Sequence, residues 1–437
     1  MLNSLLKTTI RFHSQAQIMH SKLLIIGGGD AGLSLATRLS ESSQNLFAKQ
    51  NKVLDGTDIT VVDKKEKYIY QSGQTLVGGG LTTLDDITVD YDTRAPSDIN
   101  RINQLAQKII PEENRVVLED GTELSYDYLV LALGTHPQLD LTPGLRESLE
   151  NEAIPVATNY LPEYAVKMNK LRSEFKGGNA IFTMPQSPIK CGGAPLKITY
   201  LSCSSWKNKQ IKYNAKYYTG TPAIFGNTFY VTALEKQLKR YGVEAFTQHE
   251  LVEVKGKDRI AVFKNLKTGD LIEQPFDILH ATPVMKAPAI LAEAGLTNPN
   301  SYVNVNINTL QHNVFPNIFS LGDCADLPTS KTLSAVNDQL HILADNLDRA
   351  INEKPLQADY HGYTACPVLV GGGKVILCEF GYDQKVMQTF SKDQREPSGF
   401  FYFLKTKVFN QLALRNKCGH VRGLRQFFSS LSQTKEK

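Results

Sequence analysis

Cysteine is scarce in this chain and never closely paired. The six thiols stand at positions 191, 203, 324, 366, 378 and 418, without the Cys-x-x-Cys spacing that zinc and iron–sulfur sites use. That sparseness also excludes a disulfide-framed secreted scaffold, so any working pair of sulfurs has to be assembled by the fold. A dominant charge is equally lacking. A net charge of +4 over 437 residues gives no electrostatic reason to expect a nucleic-acid partner. No stretch reaches the roughly 18 consecutive apolar residues of a membrane-spanning helix, and no fixed-period repeat is present. Acidic residues are absent ahead of Asp30. The opening MLNSLLKTTIRFHSQAQIMHSK carries Lys7, Arg11 and Lys22 among apolar and hydroxyl residues, without the apolar centre of a secretory signal. Residues 1–20 read as a mitochondrial transit segment, the alternative being a plain basic tail.

What is present is chain enough for two or three domains, 41% hydrophobic and 21% charged. SKLLIIGGGDAGLSLATRL runs an apolar strand into glycines and then into a helix. DITVVD (58–63) and YDYLVLALGTHP (126–137) are further strands, and NIFSLGDCADLPTSKT (317–332) repeats the strand, glycine turn and helix theme. Strands alternating with helices predict parallel sheets in an α/β architecture.

Gly27, Gly29 and Gly32 form a G-x-G-x-x-G fingerprint with Asp30 and Ala31 inside it. The first glycine permits a tight turn, the second lets backbone approach a pyrophosphate, and the third lets helix and strand pack closely. Asp63, ending the second strand, is placed to accept a ribose hydroxyl. It follows Gly32 by more than the usual ~20 positions, which requires the intervening ESSQNLFAKQNKVLDG to loop out.

The middle of the chain offers a second strand, NAIFTM, followed by a turn and a helix, yet the turn reads PQSPIKCGGAP. Pro185 and Pro188 remove backbone donors that a second pyrophosphate would need, and Cys191 sits in the loop. Reduction by a nicotinamide is therefore not expected, and a thiol or sulfide acting through Cys191 becomes the alternative electron source. Between Ser398 and Phe428 the chain carries six Lys or Arg, no Asp or Glu, and many aromatics. That composition suits an amphipathic helix at a membrane interface, or else an ordinary packed helix with solvated bases.

The fingerprint, ALGTHP and SLGDCADLP together resemble the FAD domain of the two-dinucleotide-binding-domain flavoproteins. PIKCGGAPLKITYL, TLQH (309–312), GDCADLPTSKT and GYTACPVL extend the likeness, from about residue 22 onward, to the mitochondrial type of sulfide:quinone oxidoreductase. The resemblance implies two Rossmann-like domains. The FAD domain (21–149 and 301–365) is interrupted by a second α/β domain (150–300), and a membrane-docking and redox-cysteine region follows (366–437). It implies FAD contacts at Gln71, Ala106 and Asp323, and at Lys331 and Thr332 where the helix after PTSKT begins. It implies that Cys191 and Cys366 are the redox pair. Hydrosulfide attacks on the Cys366 side, and Cys191 leaves as the flavin-facing thiolate, favoured by Lys190. Sulfane sulfur passes to glutathione or sulfite and two electrons to ubiquinone at the mitochondrial inner membrane. Cys203, Cys324 and Cys378 are expected to be packing thiols. His312 and Lys331 are possible proton donors to the quinone. The competing readings are a type II NADH:quinone oxidoreductase and a non-catalytic FAD-binding redox sensor.

Overall fold

The computed structural model describes residues 18–40 and 54–416. Most of the transit segment, most of the insertion before Asp63, Cys418 and the end of the basic aromatic stretch lie outside the described residues. The first strand, Met19–Ile26, starts two residues inside the segment read as a leader. Met19 and His20 already pair with Leu124 and Ser125.

Met19–Ile26 runs parallel to Ile59–Val62 on one side and Glu123–Leu131 on the other. Ile318–Ser320, almost two hundred residues later, joins the far side of Glu123–Leu131, also in parallel. Leu23, Leu24, Ile25, Val61, Leu129 and Val130 are completely buried, as expected of strands covered on both faces. The register aligns Ile26 with Val62 and Leu131 with Ser320. The four strands therefore end at one level, and the turns that begin at Gly27, Asp63, Ala132 and Leu321 leave the same sheet edge. That edge, the carboxyl end of parallel strands, is where open α/β sheets bind ligands.

A second sheet is wholly parallel, in the order Val156–Ala157, Ile278–His280, Gly178–Met184, Tyr213–Thr219, Val243–Thr247. Gly178–Met184 is its central strand. PQSPIKCGG leaves its carboxyl end and feeds the helix Ala194–Asn208. Pro195 stands in the first turn of that helix, where a missing N–H costs nothing. An antiparallel hairpin, Thr364–Leu369 with Val375–Phe380, packs Cys366 and Val368 into the core of this second unit. Strand alternation turns the intervening Ala365 and Pro367 the other way, onto the wall of the large cavity described below.

Candidate active site

The two sheets and the hairpin enclose a cavity of about 800 Å³, large for a single ligand site. Gly27, Gly29, Asp30 and Ala31 line one end, beside Asp63 and Ala106. Asp323, Lys331 and Thr332 line its middle, facing Gln71 and Cys191. Gly32 and Cys366 stand behind the wall. Gly27 has φ +102° and lies against the backbone of Ala132, so a side chain there would be both strained and obstructed. A Cβ on Gly32 would strike the carbonyl of Gly27, whereas Gly29 faces open space. Asp63 accepts from the amide of Gly28 at 2.6 Å, which ties the glycine turn to the second strand.

The cavity fits a dinucleotide. The glycine turn leaves room for a pyrophosphate at the N-terminus of helix Asp30–Ser40. Thr135 Oγ1 and Asn337 Oδ1, both buried and on the wall, have no partner among the described residues. Thr332 caps the helix Leu333–Ile351 by accepting from the amide of Ala335 at 3.1 Å, so the helix begins where it was expected, after PTSKT. Lys331 donates to the carbonyl of Ala325 and lies over the ring of Tyr302. Burial raises the Asp323 carboxyl above the usual carboxylate range, opposed by Lys331 and Lys190.

Cys191 and Cys366, 175 positions apart, bring their sulfurs to 3.6 Å. Two backbone details make this possible. Cys191 adopts a left-handed conformation, φ 49°, with its amide donating to the carbonyl of Lys331 at 2.7 Å. Gly193 lacks the Cβ that would collide with the Cys366 sulfur. Lys197, one turn into the following helix and 4% exposed, donates to the Cys191 sulfur at 3.1 Å. The hydrogen bond from the Cys366 thiol, with the Lys197 ammonium, holds Cys191 well below the usual thiol range despite burial. Cys366 moves the opposite way, because its proton is held by that bond and because it is buried. Burial alone would lower Lys197, but the thiolate beside it raises it instead. The pair is thus polarised, with Cys191 the thiolate on the cavity wall and Cys366 the thiol behind it.

The sequence expectation that Lys190 serves the thiolate is corrected here. Its ammonium reaches Gln71 Oε1 at 2.9 Å, and Lys197 is the cation at sulfur. The missed signal was a lysine inside the otherwise apolar APLKITYL run. His312 is removed as a proton donor. Its Nδ1 accepts from the amides of Val314 and Phe315, its Nε2 meets the carbonyl of Leu296, and it lies off the cavity wall. Cys203, Cys324 and Cys378 are completely buried and burial raises all three thiols, as packing residues require.

At the far end of the cavity Phe390, Phe401, Leu404, Val408 and Phe409 make an apolar mouth. Lys405, unforeseen in the sequence, turns inward there and donates to the Tyr70 hydroxyl and the carbonyl of Ser72, each at 3.3 Å. It belongs to a π-helical segment, Leu404–Val408, a local widening frequent at functional sites.

These features define a flavoprotein of the disulphide-oxidoreductase class with FAD as cofactor. The pyridine nucleotide-disulphide oxidoreductase family profile matches residues 21–163. The mitochondrial sulfide:quinone oxidoreductase of Schizosaccharomyces pombe is 37% identical, with 93% of each chain covered. That of Mus musculus is 34% identical, over 94% of this chain and 90% of its own. The chain belongs to the mitochondrial sulfide:quinone oxidoreductase family. The X-ray structure of the sulfide:quinone oxidoreductase of Aquifex aeolicus shares the fold, with TM-score 0.75, 20% identity and 92% of each chain covered.

Proposed function

We propose that this protein oxidises hydrosulfide at the Cys191–Cys366 pair and passes two electrons through FAD to ubiquinone. The reading is carried by one observation. Two thiols stand 3.6 Å apart at the sheet edge where a nicotinamide fingerprint is missing, and one of them faces the dinucleotide cavity. A type II NADH:quinone oxidoreductase would have no use for that pair, and a mere sensor none for the apolar mouth beyond it.

Bound FAD supplies the two-electron relay between sulfur and quinone. The chain supplies the rest. The glycine turn and the helix N-terminus at Asp30 hold the pyrophosphate, and Gln71, Lys331 and the capped helix at Thr332 hold the ring end. In the oxidised pair, hydrosulfide attacks the Cys366 sulfur and Cys191 leaves as a thiolate. Lys197 stabilises that leaving group, which is why its charge is buried beside it. The sulfane sulfur on Cys366 then passes to glutathione or sulfite. Lys405, held by Tyr70 and Ser72, is placed to offer a proton at the quinone end.

The protein works in the mitochondrion, docked on the inner membrane. Among the described residues no helix is long and apolar enough to span a bilayer. Residues 399–414 form a continuous helical stretch, and Phe400, Phe403, Lys407, Gln411 and Arg415 follow one another at three- or four-residue steps, all exposed. Two aromatics and two bases without an acid on one face suit an anionic lipid interface, and the quinone mouth opens behind them.

The test is anaerobic titration of the yellow holoenzyme. Sulfide should bleach the flavin stoichiometrically and decylubiquinone should restore its colour. Bleaching by NADH and none by sulfide would overturn the reading.

A further inference from the structure

The carboxyl end of the second sheet holds polar groups that the scheme above does not use. Tyr160 follows the strand Val156–Ala157, and Thr282 follows its parallel neighbour Ile278–His280. Tyr160 is 7% exposed and Thr282 4%. Neither hydroxyl has a hydrogen-bond partner among the described residues. The Thr282 hydroxyl is close enough to act on that of Tyr160 as a weak hydrogen-bonding neighbour, but the pair falls short of full hydrogen-bonding geometry. The other groups that bear on the Tyr160 hydroxyl include Cys191 and Cys366, and its ring packs in the same cluster as both cysteines. Tyr160 also lines the large cavity.

A buried hydroxyl left unpaired costs about 1–3 kcal/mol, and two side by side are hard to retain without a guest. Here they occupy the ligand-binding edge of an α/β sheet, at the place the missing nicotinamide fingerprint vacates. Both can act as donors, so the missing partner is an acceptor small enough to fit between two side chains and beside two sulfurs.

We propose that Tyr160 and Thr282 form the hydrosulfide subsite, donating hydrogen bonds to the incoming sulfur and to the same atom once it is bound to Cys366. This rests on the sulfide-oxidising reading. In the step served, HS⁻ forms a bond to the Cys366 sulfur as the Cys366–Cys191 disulfide bond breaks. The bond pair leaves on Cys191 as thiolate, and the proton of HS⁻ stays on the new persulfide. One negative charge enters and one leaves, with no net redox change. The hydroxyls hold the charge at its point of entry, as Lys197 does where it emerges.

The experiment compares wild-type holoenzyme with Tyr160→Phe, Thr282→Val and the double variant. Three quantities are measured: the sulfide dependence of flavin bleaching, the persulfide on Cys366 by alkylation and mass spectrometry, and the melting temperature. Removing an unpaired hydroxyl leaves stability unchanged or raised. The half-saturating sulfide concentration should rise roughly tenfold in Tyr160→Phe, Cys366 persulfide at low sulfide should fall in parallel, and bleaching by dithionite should stay at the wild-type rate. A melting temperature that falls together with sulfide affinity makes the hydroxyl structural and overturns the proposal. So does an unchanged sulfide dependence in both single variants, or an effect confined to sulfite as acceptor. Wild-type protein that sulfide cannot bleach would instead sink the function on which the proposal rests.

Discussion

The ammonium of Lys197 stands 3.1 Å from the sulfur of Cys191, inside the protein, on a helix that begins three residues after that cysteine. A buried lysine beside a buried thiol is unfavourable for either neutral partner alone and favourable for the ion pair, because each desolvated charge compensates the other. The relationship makes Cys191 a good leaving group, and it sets a pH dependence.

With Cys191 held below the usual thiol range by the Cys366 thiol and the Lys197 ammonium, its thiolate outlasts that of an ordinary cysteine as the pH falls and is lost only as the pH passes the lowered value. Replacing Lys197 by Met removes the cation but leaves the Cys366 thiol. The acid limb of sulfide-dependent flavin reduction should then move upward by about one pH unit or more. Stopped-flow rates across pH 5–9 check this, and an unmoved acid limb would contradict it.

Gly193 owes its identity to a neighbour rather than to its backbone, whose φ is an ordinary −92°. In Gly193→Ala the new methyl meets the Cys366 sulfur, so the cost is overpacking, about 1–3 kcal/mol, together with loss of sulfide oxidation. Adding Cys366→Ala should recover most of the stability and none of the activity. Urea titrations of the two single variants and the double variant measure the coupling.

Arg94 joins two distant parts of the site. Its Nη2 donates to Asp30 Oδ1 at 2.9 Å and its Nε to the carbonyl of Ala413 at 2.8 Å, with the guanidinium over the ring of Tyr68. Arg94→Met should destabilise by about 2–3 kcal/mol, below the full cost of an orphaned buried ion, because Tyr68 still donates to Asp30. FAD retention on gel filtration should fall with it.

The exposed stripe on the C-terminal helical stretch predicts a separable defect. Phe400→Ser with Phe403→Ser should reduce co-sedimentation with anionic vesicles while bleaching by sulfide in solution stays at the wild-type rate. Equal vesicle binding by wild type and variant would remove this face as the docking surface.

The α/β class, the glycine fingerprint and the start of a helix after PTSKT were all readable along the chain, because each depends on local patterns: strand periodicity, glycine at forced turns, and the strand, turn and helix succession. The absence of a second fingerprint was equally readable, and it pointed to sulfur at Cys191. Cys366 stands ahead of a proline and an apolar strand, which made it a remote candidate, but its pairing with Cys191 came by resemblance. Its approach to Cys191 depends on a hairpin register and on a missing Cβ at Gly193, which are properties of packing. Which lysine serves the thiolate was marked in the sequence only by Lys197 interrupting an apolar run. Lys190 is adjacent in the chain, but a residue beside a left-handed cysteine points elsewhere, toward Gln71. Lys197 reaches the sulfur because the helix turns it back. The unpaired hydroxyls of Tyr160 and Thr282 look like ordinary residues until two parallel strands set them side by side, and only burial without a partner gives them meaning.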